Sequence, residues 1–525
     1  MYFTSSAFVL FLVVVLTGYY VSPGRFRPVW LLFANSFFCV ASGWAGTACV
    51  AATCLTTWYA GKRMDRLSKS LAARLADADL VSSEAKALRR RTKEQKRLWL
   101  LLGVCVNVGI LAVTKYSGFF AQNLNAMARV LGLSFTASGF DFALTLGISF
   151  YTFKALSYMT DLYRGKKTEA AGSLVQVALF VSFFPELVQG PISRYCDLSP
   201  GLFAGRIPCR DEFCAGVQRI LFGFFKKLVV ADRLLPAVVI LTKSPDEFKG
   251  AYVLLTMWFY AVVLFADFTG GIDIAVGVAK LFGIDVTENF NRPFYSKSIA
   301  EYWRRWHITM GAWFKDYLFY PLSASSAMLK LIKPSKRIFG KGVGVRIPVY
   351  IVTTVLWFTT GLWHGASWNF IVWGLTNGAI IIVSQELSPL YKRFHARFAF
   401  SETPVYGAFQ IVRTFCLMSF IRVFDIYAGV GVTLGAYASV FADFGREGFA
   451  ARSVLDLGLS VSDCVVVALG VCVMISAGLW TRRAAYKGTS LTARVCLCFL
   501  LFLATTVFGC YGIGYDAKQF IYNRF

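Results

Sequence analysis

Apolar runs of membrane-crossing length recur along almost the whole chain, and this repetition constrains the fold more than any single motif. They occupy residues 2–20, 29–41, 44–60, 98–117, 140–162, 174–190, 216–241, 251–283, 346–361, 363–383, 405–424, 461–480 and 495–513. A spanning helix needs about 20 mostly apolar residues, so about ten to twelve of these runs are candidate spans. The shorter ones are expected to be re-entrant or tilted. Open strand edges find no hydrogen-bond partner in hydrocarbon, which leaves an all-α polytopic membrane protein as the fold class. Charged residues make up only 16% of the chain, against roughly 25% in soluble domains. No soluble domain, long linker or internal repeat interrupts the pattern, so residues 1–525 are expected to form a single integral-membrane domain.

The chain carries 54 basic and 29 acidic residues, a net charge of +25. In a soluble protein that excess would raise nucleic acid as a partner. Here the cations crowd between apolar runs, and the positive-inside rule accounts for them without nucleic acid. Residues 61–97 hold Lys62, Arg63, Arg66, Lys69, Arg74, Lys86, Arg89, Arg90, Arg91, Lys93, Lys96 and Arg97, and are expected to be a cytoplasmic charged helix-loop. A second basic loop, with Lys330, Lys333, Lys336, Arg337, Lys341 and Arg346, is assigned to the same side, as is a third with Arg482, Arg483, Lys487 and Arg494. Both termini are then expected outside. No basic residue precedes Arg25, so the first run reads as a retained span rather than a signal peptide. The 13 cysteines form no C-x-x-C pair and read as small buried hydrophobes.

Histidine occurs only at 307, 364 and 395. His364 lies in Gly361-Leu-Trp-His-Gly-Ala-Ser-Trp368-Asn-Phe, an otherwise apolar, aromatic or small segment. Ionisable groups in hydrocarbon are rare and functional by default, and imidazole is the usual general base near neutral pH. Trp357, Gly361, His364 and Trp368 are spaced to share one helical stripe, with Gly361 and Gly365 as a small-residue pair for close helix approach. The alternative is plain helix packing around a hydrogen-bonded histidine. In 301–322, Trp303, Trp306, Met310, Trp313, Tyr317 and Tyr320 recur at spacings of three and four. This pattern reads as one interfacial helix, with Arg304, Arg305 and Lys315 turned toward water or phosphates and His307 at the edge of the aromatic stripe. Such a helix is either a headgroup anchor or the lip of a site for an anionic donor.

Four further polar residues sit in apolar surroundings. Glu186 and Gln189 fall in Phe184-Pro-Glu-Leu-Val-Gln-Gly-Pro191, whose prolines forbid a continuous helix and suggest a re-entrant segment. Asp267 and Asp273 flank Phe-Thr-Gly-Gly-Ile. Each of the four either shapes a cavity, orients a histidine or pairs with a buried cation such as Lys226. No phosphate loop, dinucleotide fingerprint or metal-ligand cluster is present.

With these segments in order, the chain resembles the membrane-bound O-acyltransferases, in particular the bacterial branch of alginate O-acetyltransferases and teichoic acid D-alanyltransferases. The resemblance rests on Gly147–Asp161, Phe184–Tyr195, Lys226–Arg233, Asp267–Asp273, Glu288–Phe294, Trp303–His307, Gly361–Gly365 and the ending Phe520–Phe525. It implies a ring of spanning, re-entrant and interfacial helices around a central catalytic tunnel. It also implies that His364 is the catalytic histidine and His307 a second active-site histidine. On that basis an acyl group, acetyl before others, passes from a cytoplasmic thioester to hydroxyls of a cell-envelope polysaccharide or wall polymer. The thioester, acetyl-CoA or a phosphopantetheine carrier, is a co-substrate, and no bound cofactor is expected. His364 would act as base and His307 would bind the donor or steady the oxyanion. Trp303, Trp306 and Trp368 would exclude water, and Arg304 and Arg305 would hold donor phosphates. An extracytoplasmic partner protein, contact with membrane lipids and residence in a bacterial cytoplasmic membrane are the further expectations. The competing readings are D-alanyl transfer to teichoic acid from a carrier protein and, in a different class, a lipid or polysaccharide transporter or flippase.

Overall fold

Nearly every apolar run becomes a helix. The computed structural model describes residues 1–77, 82–140, 147–165, 170–443, 452–480, 490–512 and 515–517, and no strand occurs among them. Arg482, Arg483, Lys487 and the ending Phe520–Phe525 lie outside these residues. The chain divides into two compact units, Met1–Val217 with Ala275–Thr287, and Gln218–Ile274 with Glu288–Phe525.

In the first unit, α1 (Ser6–Val21) starts where the Ser5 side chain accepts the Phe8 N–H, satisfying one of the bare donors of a helix start. It is followed by α2 (Arg27–Ser42), α3 (Trp44–Asp77), α4 (Ser82–Leu111) and α5 (Ile148–Arg164). The basic segment 61–97 is mostly helix: it prolongs α3 and opens α4, with pairs such as Lys69–Asp65 and Arg90–Glu94 one turn apart. At Gly103 a Cβ would lie 2.5 Å from Met159 Sδ of α5. Asn107, inside an apolar run, donates to Thr56 Oγ1 at 3.2 Å and so ties α4 to α3.

The segment with two prolines is broken, as its sequence requires. Phe184–Leu187 makes a single turn, and the Phe184 N–H donates to Asn35 Oδ1 of α2. Gly147 accompanies it at φ +69°, where a Cβ would fall 1.7 Å from Leu187 O. Glu186 is 1% exposed; it meets Lys154 Nζ at 2.6 Å and accepts the Ser193 hydroxyl. Removing one partner would leave the other as a bare buried charge, the costly way to break such a pair.

The second unit holds α6 (Ala251–Leu281, to this unit through Ile274), α7 (Ile299–Arg305), α8 (Ile308–Phe314), α9 (Ser326–Gly344), α10 (Ile347–His364), α11 (Trp368–Glu386), α12 (Pro404–Ile421), α13 (Val461–Trp480) and α14 (Leu491–Phe508). Asp273 of α6 binds Arg219 at 2.6 Å and Lys226 at 2.5 Å. Asp267 binds Lys227 at 2.5 Å, and Lys227 also reaches Asp232 at 2.7 Å. Lys226 and Lys227 are neighbours in a π-helical stretch, Phe225–Ala231.

Among the described residues five helices are long and apolar enough to cross a membrane, or seven if each of two bent pairs is one span. The sequence count of about ten to twelve rests on run length, whereas several runs fold as short or bent helices. One bent pair is α9 with α10, at 85°. The sequence reading makes 330–346 a loop; in the structure most of it is helix, carrying Lys330, Lys333, Lys336, Arg337 and Lys341. Each of these would cost ~2.5–3.5 kcal/mol at the centre of a bilayer. α10 has no Asp, Glu, Lys or Arg, so any crossing made by this bent pair falls to α10.

The cysteines depart from expectation. Cys39 and Cys54 are buried, but Cys105 and Cys472 face outward. On a membrane protein an outward apolar face meets lipid, so an apolar run does not separate core from lipid-facing positions.

Candidate active site

The segment expected as one interfacial helix is broken near its start. α7 begins where Ser298 accepts the Glu301 N–H and stops at Arg305; α8 begins at Ile308. Between them His307 takes a left-handed conformation at φ +47°, uncommon for a residue with a Cβ. Its surroundings fix it there. Asn289 O accepts the Ile308 N–H at 2.9 Å, and Asn289 Oδ1 accepts the Thr309 N–H at 3.1 Å and the Thr309 hydroxyl at 2.9 Å. Trp303 and Tyr320 therefore do not share one helical face, and Tyr320 is 50% exposed.

The same Asn289 oxygen lies 3.2 Å from His307 Nδ1. A backbone N–H points at that atom, so it is an acceptor and His307 Nδ1 is the donor. The imidazole is 0% exposed, and burial, then the charge of Arg422, lowers its pKa. A neutral ring with hydrogen on Nδ1 keeps a lone pair on Nε2. His307 is thus built to accept a hydrogen bond, and steadying an oxyanion, one of its expected roles, would first require its protonation.

His364 ends α10 and is 4% exposed. The chain then turns, with the Ser367 N–H on Gly365 O, and starts back as α11 at Trp368. The expected stripe through Trp357, Gly361, His364 and Trp368 consequently ends at His364. Gly361 does serve close approach, but its partner is Gly374 of α11. A Cβ on Gly374 would lie 2.3 Å from Trp357 O, and one on Gly361 the same distance from Phe370 O. Gly365 instead faces the Phe370 ring. Trp368 is 56% exposed and does not wall the pocket as expected: its place at the start of α11 turns it outward.

Trp363 joins the two histidines. Its ring centroid is 5.9 Å from His307 and 5.0 Å from His364. Phe268 of α6 meets His307 edge-on at 5.0 Å, and Trp373 of α11 meets His364 edge-on at 4.7 Å. Trp306, 2% exposed, stacks on Tyr302 at 5.5 Å, and Trp303 donates to Asn377 Oδ1. Two imidazoles held apart by one indole, in surroundings poor in water, can move a proton and protect a hydrolysable acyl donor.

Arg422 was not singled out from the sequence. It is 5% exposed and lies over three indoles, 4.9 Å from Trp306, 5.0 Å from Trp373 and 5.7 Å from Trp303, with Asp425 at 2.9 Å. Its signal was available, as an arginine in the apolar run 405–424. Asn289 and Trp373 gave no such signal, because their roles arise only when separate segments meet. The remaining expected residues divide. Arg304 is exposed, while Arg305 is half-buried and already bound to Glu301 at 2.5 Å. Asp267 and Asp273 are held by the lysine and arginine pairs described above. Glu186 and Gln189, both 1% exposed, belong to the first unit.

The comparisons with known proteins agree on one family. Residues 171–333, which include His307, match the model of the membrane-bound O-acyltransferase family. The chain is 34% identical over 389 residues to the probable alginate O-acetylase AlgI of Azotobacter vinelandii, covering 74% of this chain and 69% of the relative. It is 30% identical over 328 residues to the peptidoglycan O-acetyltransferase of Helicobacter pylori, covering 57% and 58%. It is 30% identical over 240 residues to the teichoic acid D-alanyltransferase of Bacillus subtilis, covering 45% and 58%. With its helical fold, its spanning helices and a relative matched over more than two thirds of both chains, this protein belongs to the membrane-bound O-acyltransferase family.

Proposed function

We propose that this multi-pass O-acyltransferase resides in a bacterial cytoplasmic membrane and transfers an acetyl group from a cytoplasmic thioester toward hydroxyls of a cell-envelope polysaccharide. The observation that carries this reading is the convergence of His307 and His364 on Trp363 among buried aromatic side chains. His364 takes the hydroxyl proton as the new C–O bond forms and the thioester C–S bond breaks; the proton finally resides on the departing thiol. His307, through Nε2, accepts a hydrogen bond from donor or acceptor. The surrounding indoles keep water from the thioester. The donor is acetyl-CoA or a phosphopantetheine carrier, and its phosphates meet Arg304 at the exposed end of α7. An extracytoplasmic partner protein carries the acyl group onward.

Acetyl is favoured over D-alanyl by the extent of similarity. The match to the alginate O-acetylase spans 74% of this chain, and that to the D-alanyltransferase 45%. The test is mass spectrometry of ester-linked groups on the envelope of cells with the gene, without it, and with His364→Ala. Loss of acetyl esters in the last two supports the reading. Loss of D-alanyl esters selects the alternative, and an unchanged envelope rejects both.

A further inference from the structure

α9 stands at the far end of α10 from His364, about 27 Å away at 1.5 Å per residue over 18 residues. The two helices meet at 85°, and α9 itself breaks at Gly340, φ +76°, after Phe339. Where α10 crosses the membrane, a helix nearly perpendicular to it runs along the surface. Its side chains are sorted for that position. At 100° per residue Lys330, Lys333 and Arg337 fall within an arc of about 60°, and Met328, Leu331, Ile332, Ile338 and Phe339 fill the opposite face. Leu331 and Ile332 are half-buried against the unit. Ile338 is 73% exposed and Phe339 54% exposed. Residues 326–346 contain no acid.

We propose that α9 is an in-plane lipid-binding helix. Ile338 and Phe339 sit among acyl chains, while Lys330, Lys333 and Arg337 hold the phosphates of anionic lipid headgroups. Three observations select this occupant. The exposed apolar side chains need a hydrocarbon surface, the opposite face offers only positive charge, and the bend sets both at the level where headgroups meet chains. An interfacial helix of this protein is thus the segment that its charges mark as a loop. The inference does not rest on the acyl-transfer reading.

Two measurements on the full-length protein test it. In native mass spectrometry from micelles holding equal phosphatidylglycerol and phosphatidylcholine, the protein should retain phosphatidylglycerol preferentially. The triple variant Lys330→Gln, Lys333→Gln, Arg337→Gln should lose that preference on the order of tenfold or more. Equal retention by both proteins overturns the proposal. The second measurement needs no charge removal: Ile338→p-benzoylphenylalanine is irradiated in native membranes. A lipid adduct at position 338 is the expected product. A cross-link to another protein in its place, or no adduct, overturns the proposal.

Discussion

The imidazole of His364 meets the indole of Trp373 edge-on, with ring centroids 4.7 Å apart, and the same indole carries the Arg422 guanidinium over its ring at 5.0 Å. His364 and a buried cation therefore share one indole as a neighbour. Arg422 holds that ring together with Trp303 and Trp306, so the position of His364 depends on a residue from another helix end.

His364→Ala should reduce transfer by ~10²–10⁴-fold while the protein stays folded, as expected on losing a general base. Turnover by purified, monodisperse protein in detergent is the measurement. Near-normal turnover would remove His364 from its proposed role.

Breaking the Arg422–Asp425 pair from one side should cost ~3–5 kcal/mol, because a buried charge is left alone. Arg422→Met should therefore lower thermal stability strongly. Adding Asp425→Leu to it should restore part of the loss. A double variant less stable than Arg422→Met alone would show that the pair is not the source of the effect.

Asn289→Ala removes the acceptor shared by the Thr309 N–H, the Thr309 hydroxyl and His307 Nδ1. The buried donors left behind should cost ~1–3 kcal/mol, and turnover should fall because the His307 tautomer is no longer fixed. Asn289→Asp keeps the acceptor and should retain more activity than Asn289→Ala; the reverse order, in paired turnover and unfolding measurements, contradicts this account.

Gly374→Ala should push α11 off α10, because its Cβ would lie 2.3 Å from Trp357 O. Overpacking of this kind costs ~1–3 kcal/mol. Since the same two helices carry Trp373 and His364, kcat should fall more than donor KM rises. A normal kcat would show that the helix contact does not set the histidine.

Basic segments 61–97 and 330–346 should both lie in the cytoplasm. Cysteines placed at the exposed positions Glu84 and Lys333, in a background lacking reactive native cysteines, should resist an impermeant thiol reagent added to intact cells. Labelling of either from outside reverses the orientation and the proposed side of donor entry.

Apolar run length decided by itself that this protein is helical and crosses a membrane, because hydrocarbon offers no partner to an unpaired backbone group. The rarity of histidine and its apolar setting brought out His307 and His364 from the sequence alone. Periodicity could not find where helices stop. The break at His307 depends on Asn289, 18 residues away, and the turn after His364 depends on α11 folding back on Gly361. It also made 301–322 one continuous helix, since spacing reports amphipathicity but not the break at His307. The tertiary structure alone decided which polar residues face one another. Glu186, Asp267 and Asp273 became partners of buried lysines, and Trp363, Trp373 and Arg422 became the surroundings of the histidines. Distance along the chain carries no record of such meetings, which follow from how the helices pack.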